Sequence, residues 1–199
     1  MKSLALLAAS ALCVLVASGG GGGSSSSPSA LLGSLANAQS GNAAPAPTKL
    51  EDYVSSTASG DAAYSKGDYA TALRLYRQLA DQGNVSAQYV IGTMYFDGRG
   101  VPQVYATAAL WFRKAAERGS MAAQMDLGSM YADGRGVPQD YVLAHKWLNL
   151  VATLSLLSSE TDKKLVNSAS YKRAAVTEKM TPAQIANAQK LAREWKPTP

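Results

Sequence analysis

At 199 residues the chain has room for one ordinary domain and a tail, and a hydrophobic fraction of 47% suits a folded protein. Its single cysteine, Cys13, falls in an N-terminal apolar run. A chain processed beyond that run holds no thiol, which excludes disulfides, thiol catalysis and cysteine–zinc sites together. The net charge of +5 is unevenly placed: residues 49–159 carry ten Lys/Arg against ten Asp/Glu, and residues 160–199 carry eight against four.

Residues 1–18 read as a secretory signal. Lys2 supplies the positive n-region, Leu4 to Ala17 the apolar h-region, and Val16-Ala17-Ser18 a small-residue cleavage site. The alternative, an uncleaved membrane anchor, asks for about 20 apolar residues, more than this run provides. Leu12 stands where a lipoprotein needs a small residue before its acylated cysteine, which argues against lipidation at Cys13. The chain is therefore expected in the periplasm or outside the cell. Residues 19–48 are Gly/Ser-rich, then Ala/Pro/Asn-rich, and bury too little apolar surface to offset their chain entropy; they read as a disordered linker.

Beyond the linker the chain repeats itself. Residues 85–120 and 121–156 agree at 16 of 36 positions, including the heptapeptide Asp97 to Gln103, which recurs unchanged as Asp133 to Gln139. A fixed period of this length predicts stacked supersecondary units, each burying its apolar face against the next. Ala87, Ile91, Met94 and Tyr95 form an i, i+4, i+7, i+8 stripe that returns as Ala123, Leu127, Met130 and Tyr131. Gly92 and Gly128 fall inside this first helix, where glycine costs about 1 kcal/mol against alanine, so close helix–helix approach is expected there. Gly98 and Gly134 suit a left-handed helix stop. Pro102 and Pro138 then force an extended link. The second helix carries Tyr105, Ala108, Trp111, Ala115 and Ala116, matched by Tyr141, Ala144, Trp147, Val151 and Ala152. Both tryptophans and the tyrosines at this phase are expected to pack in the core.

Residues 49–84 match only in their second half, and turn through Lys66-Gly67-Asp68 in place of the longer loop; they read as an atypical capping unit. Residues 157–199 leave the pattern. Ser159 to Lys179 reads as one polar helix with apolar points at Leu165, Ala169 and Val176. Thr181-Pro182-Ala183-Gln184 has the N-cap, N1 proline and N3 glutamine of a capping box, opening a last helix that covers the end of the stack.

The spacing A-x-x-x-L-G-x-M-Y-x-D-G-x-G-V-P-Q-D-Y-x-x-A-x-x-W, carried by the second and third units, resembles the Sel-one-like repeat family, a relative of the tetratricopeptide repeat. The resemblance spans about residues 60–156. The Met180-Thr-Pro-Ala-Gln184 helix is similar to the tail that often follows such repeats in bacterial secreted members. It implies an all-α, right-handed α/α superhelix, a short solenoid of about three helical hairpins plus capping helices, acting as a scaffold or adaptor with no catalytic residues. Val104, where the third unit has Asp140, departs from the pattern without evident consequence.

Chemistry-bearing motifs are absent. The Asp-Gly-Arg-Gly loop lacks the lysine of a phosphate loop and the ligand spacing of a calcium loop, so Arg99 and Arg135 read as solvated turn residues. His145, the lone histidine, aligns with Ala109 and reads as a surface or groove residue. Nucleophile signatures are missing, so no enzyme, cofactor or metal site is expected. The alternative, an envelope enzyme or accessory contacting cell-wall material, would need a catalytic cluster the sequence does not display. Positions where the two good repeats differ point to exposed inner-surface residues: Val90/Asp126, Thr93/Ser129 and Phe96/Ala132, together with Gln88 and Gln124. From these, Gln88, Val90, Thr93, Gln124, Asp126 and Ser129 are the candidate contacts for a protein or peptide partner. Nucleic acid is not expected as a partner of an exported protein. The basic C-terminal residues read as a solvated face, and the chain as a monomer.

Overall fold

The computed structural model describes residues 50–154 and 159–198, with side chains from residue 55 onward. The expected signal (1–18) and linker (19–48) lie outside the described residues. Among those described there are eight helices and no strand: α1 Leu50–Ser65, α2 Tyr69–Asp81, α3 Val85–Asp97, α4 Tyr105–Glu117, α5 Met121–Asp133, α6 Tyr141–Ala152, α7 Glu160–Thr177 and α8 Pro182–Glu194. Each helix packs on its predecessor as far as α7, while α8 returns to α6. No described helix is long and apolar enough to cross a membrane.

The hairpins are set by their punctuation. Asn84 and Ser120 accept hydrogen bonds from the N–H groups of Ala87 (2.7 Å) and Ala123 (3.3 Å), starting α3 and α5. Gly98 and Gly134 stop the same helices in the left-handed region, at φ 73° and 69°. Gln103 and Gln139 then fold their amides back to donate to the carbonyls of Phe96 (2.7 Å) and Ala132 (2.8 Å). Val104 does have a consequence. Asp140 caps α6 by accepting from the Leu143 N–H at 2.9 Å, whereas Val104 gives α4 no side-chain cap.

The mid-helix glycines sit at a repeated contact. A Cβ on Gly92 would lie 2.6 Å from the Phe112 ring, and one on Gly128 2.8 Å from Leu148, one period later. Gly60 meets Tyr76 in the same way at 3.0 Å, which fixes the register of the first unit against the others. Burial follows as a chain of layers. One cluster joins Ala72, Tyr76 and Leu79 to Ile91 and Met94; a second runs from Ala108 and Phe112 through Leu127 and Leu148 to Ala169 and Val176.

The C-terminal helices share the cover. Thr181 and Gln184 form the capping box, Ala188 and Ala192 are buried, and both α7 and α8 lie against α6. Past α8, Trp195 meets Trp147 edge to face, with ring centres 6.3 Å apart, and the Thr198 N–H donates to the Glu117 carbonyl at 2.8 Å. Trp147 is core as expected. Trp111 is only half-buried, its outer face taken by Lys114 at 4.3 Å.

Candidate functional site

The first helices of the second and third units, α3 and α5, face a cleft of about 440 Å³. Phe112 of α4 and Met130 of α5 form its apolar floor, because the glycine at position 92 lets the phenylalanine ring pass beneath α3. Tyr89 and Phe96 stand over that floor, with ring centres 5.6 Å and 6.2 Å from Phe112. Lys172 reaches in from α7, and Asp133 and Arg135 from the end of α5 and the loop after it.

The polar lining is ordered by internal bonds. Tyr89 donates its hydroxyl to Asp126 Oδ2 at 3.1 Å. Lys172 donates to Ser129 Oγ at 2.8 Å, and Ser129 in turn donates to the Met125 carbonyl at 2.9 Å. Thr93 donates to the Tyr89 carbonyl at 3.2 Å. Burial pushes the Asp126 carboxyl above the ordinary carboxylate range, opposed by the Tyr89 hydrogen bond and the Lys172 charge. Burial and the adjacent Asp126 together push the Tyr89 phenol up to about 12, so it remains a donor throughout the neutral range. Asp97 and Asp133 each have a guanidinium close by, Arg99 at 3.2 Å and Arg135 at 3.4 Å.

Of the six residues expected on this surface, Thr93, Asp126 and Ser129 line the cleft. Val90 does not; it packs, half-buried, against the first core cluster. Gln88 and Gln124 are not groove residues at all. They are 5% and 3% exposed, and their amides donate to the carbonyls of Ala80 (3.3 Å) and Ala116 (3.1 Å) in the preceding unit. Their recurrence at one phase signals a structural inter-unit bond, since a buried amide must find a partner. His145 is likewise interior, 3% exposed with an unpartnered Nδ1. Burial, then the Arg173 charge, lowers its pKa. It fills the space of a buried alanine, Ala109, in the preceding unit.

Sequence reasoning also passed over Tyr89, Phe112 and Lys172. Tyr89 differs from its repeat counterpart Met125, a divergence of the kind that marked Asp126. Lys172 lies outside the repeat, and no periodicity points to it.

A comparison along the stack explains why the cleft opens here. Phe96 occupies the position that Tyr64 holds in the first unit: each stacks edge to face on the first tyrosine of the following helix, at 5.2 Å for Phe96–Tyr105 and 5.3 Å for Tyr64–Tyr69. Tyr64 accepts a 2.8 Å hydrogen bond from Arg99, whose guanidinium also lies over its ring. Phe96 has no hydroxyl to offer Arg135, which is left with Asp133 alone and lines the cleft. Among the described residues no group of three or more His, Cys, Asp or Glu is placed to hold a metal ion.

A family model for the Sel1 repeat matches residues 59–84, 85–120 and 122–155. The fold is similar to a protective antigen of uropathogenic Escherichia coli strains that displays an SLR fold, at 28% identity and a TM-score of 0.62 over 72% of this chain. It is also similar to a Sel1 repeat protein from Oxalobacter formigenes, at 26% identity and a TM-score of 0.52 over 69% of this chain. The match covers 29% of the first of those chains and 55% of the second. No curated protein matches the chain. The family matches, the all-α stack and these structural neighbours together identify residues 59–155 as three tandem Sel1 repeats.

Proposed function

We propose that this chain is a non-catalytic interaction module of the bacterial cell envelope that holds a protein or peptide partner in the cleft between α3 and α5. Sel1 repeats generally serve as protein–protein interaction scaffolds. The observation that carries the reading is the cleft itself: an aromatic floor ringed by polar side chains, at the one compared inter-unit junction where the loop arginine is not bonded to an aromatic hydroxyl. A concave site with an apolar base and a few placed polar groups is the usual form of a binding surface. Its hydroxyls donate to helix carbonyls and its carboxylates lie beside phenol or guanidinium groups, an arrangement suited to recognition more than to bond making. Export to the periplasm, with the Gly/Ser-rich segment as a tether, follows from the leader-like N-terminus.

A photo-crosslinking residue at Thr93, with the 60% exposed Leu110 of α4 as the control position, tests this in cells. One dominant protein adduct at position 93 and none at 110 supports the reading, once the captured protein binds the purified chain. Equal labelling at both positions, or none from a folded and exported protein, overturns it.

A further inference from the structure

The cleft does not end at Ser129. A second hollow of about 200 Å³ shares Ser129, Asp133 and Lys172 with it, and continues over Ala132, Ala175 and Val176 to Tyr171. Tyr171 is 80% exposed, an unusual state for an aromatic side chain with nothing described lying across it. The two hollows differ in character. The larger has aromatic walls and three carboxylates, Asp97, Asp126 and Asp133, against the cations Arg135 and Lys172. The smaller is mainly aliphatic, with Lys172 and Lys179 against Asp133.

The charge balance in the larger hollow turns on one group. Asp97 and Asp133 have guanidinium partners at 3.2 and 3.4 Å, and the Lys172 ammonium is held by the Ser129 hydroxyl. Asp126 has no cation within 4.0 Å among the described residues; only the Tyr89 phenol bonds it, through one of its two oxygens. A half-buried carboxylate so placed is under-compensated, and the rings of Tyr89 and Phe96 in the same hollow present faces that attract cations. A lysine or arginine side chain satisfies both: its stem lies on the aromatic floor while its head reaches Asp126. An anionic group there would face three carboxylates against two cations.

We propose, resting on the protein-binding reading above, that the two hollows form one groove that reads a short extended segment of the partner, taking a lysine or arginine side chain against Asp126, Tyr89 and Phe96 and an apolar side chain between Ala132, Val176 and Tyr171. The Ser129–Lys172 pair is the saddle between the two positions, which fixes the order in which the side chains must come. Lys172 works against the basic side chain, because its charge partly neutralises Asp126 from α7.

Panning a random-peptide phage library on the folded protein, then measuring recovered peptides by fluorescence anisotropy, tests this directly. The expected consensus pairs Lys or Arg with an apolar residue a few positions away. Asp126→Asn, which keeps a partner for the Tyr89 hydroxyl, should weaken those peptides about tenfold or more, the loss of one hydrogen bond to a charged group. Lys172→Met should tighten them, and raised salt should weaken them. An acidic or uncharged consensus, affinities unmoved by Asp126→Asn in a variant with a wild-type melting curve, or no recovered peptide overturns the groove assignment. A Lys172→Met variant that weakens basic peptides overturns it independently. The adduct at position 93 decides the parent reading separately, since it asks only whether a protein is held there.

Discussion

The junction between the first and second units and that between the second and third are built from the same parts. In each a mid-helix glycine meets an aromatic ring, Tyr76 or Phe112, and a tyrosine starts the next helix. Three of their differences matter here. Tyr64 gives way to Phe96, Val90 to Asp126, and a short turn to the full Asp-Gly-Arg-Gly loop. The first junction is closed by a hydrogen bond from Arg99 to Tyr64, while the second keeps a cleft whose carboxylate is held by a single phenol. The close contacts recur from unit to unit here, whereas Phe96 and Asp126, which differ from their counterparts, line the cleft.

The largest effect is expected where a loop touches the preceding unit. Gly136 lies at φ 68° with its Cα so close to the Tyr105 and Ala106 backbone that any Cβ would run into it. Gly134 has the same sign of φ, but there a Cβ would meet only Gln139, at an ordinary 3.4 Å. Gly134→Ala should therefore cost the left-handed strain alone, about 1–2 kcal/mol. Gly136→Ala adds the clash and should cost about 2–5 kcal/mol. Denaturant melts of the two variants check the order; equal losses would mean that the loop moves away from α4 freely.

The next effect separates α4 from α6. Val104→Asp restores the cap that Asp140 supplies one unit later, and should raise stability by about 1 kcal/mol. An unchanged unfolding midpoint would show that the extended backbone at Val104 does not bring a carboxylate to the open N–H groups of α4.

These two cases show what the sequence made legible. Period, helix order, the close glycine contacts and the capping box at Thr181 all rest on local chemistry that recurs in step, so a repeat alignment exposes them. Burial of a polar side chain is not local in that sense. Gln88 and Gln124 look like surface residues until the preceding unit brings a carbonyl to each, and their recurrence was the clue. His145 had no such clue, because Ala109 stands in its place and Arg173, the charge that acts on it, comes from α7, outside the repeat. Lys172 entered the cleft the same way, from a helix whose docking no period dictates.

His145 gives an effect that emerges only on acidification. Its folded pKa is depressed below the ordinary 6.5, so the unfolded chain binds the proton first and stability falls as pH drops through and below that value. Asp126 has the opposite sign: its folded pKa is raised, so stability rises as pH falls into the carboxylate range. Thermal melts of the wild type and His145→Leu between pH 7.0 and pH 5.0, a window set around the ordinary histidine value, should diverge, the wild type losing more. Parallel curves would mean that His145 reaches water when protonated without disturbing the cover of α7.

The smallest expected change is the most informative about the comparison. Phe96→Tyr places a hydroxyl where Tyr64 has one, within the reach of the loop arginine that follows it by 39 residues, against 35 in the first junction. The four extra residues are the longer loop between α3 and α4. If the two junctions are equivalent, Arg135 donates to the new phenol while keeping Asp133, as Arg99 bonds Tyr64 while keeping Asp97. That bond is worth about 0.5–1.5 kcal/mol. It would also draw the guanidinium across the cleft and leave less room for a basic side chain, so stability and peptide binding should move in opposite directions. A variant that binds as well as the wild type, at higher stability, would show that the ligand does not use the space beside Phe96. One with lower stability would show that the hydroxyl is buried without its arginine, and that the second junction is open because α3 and α5 are spaced differently there, not because a single oxygen is missing.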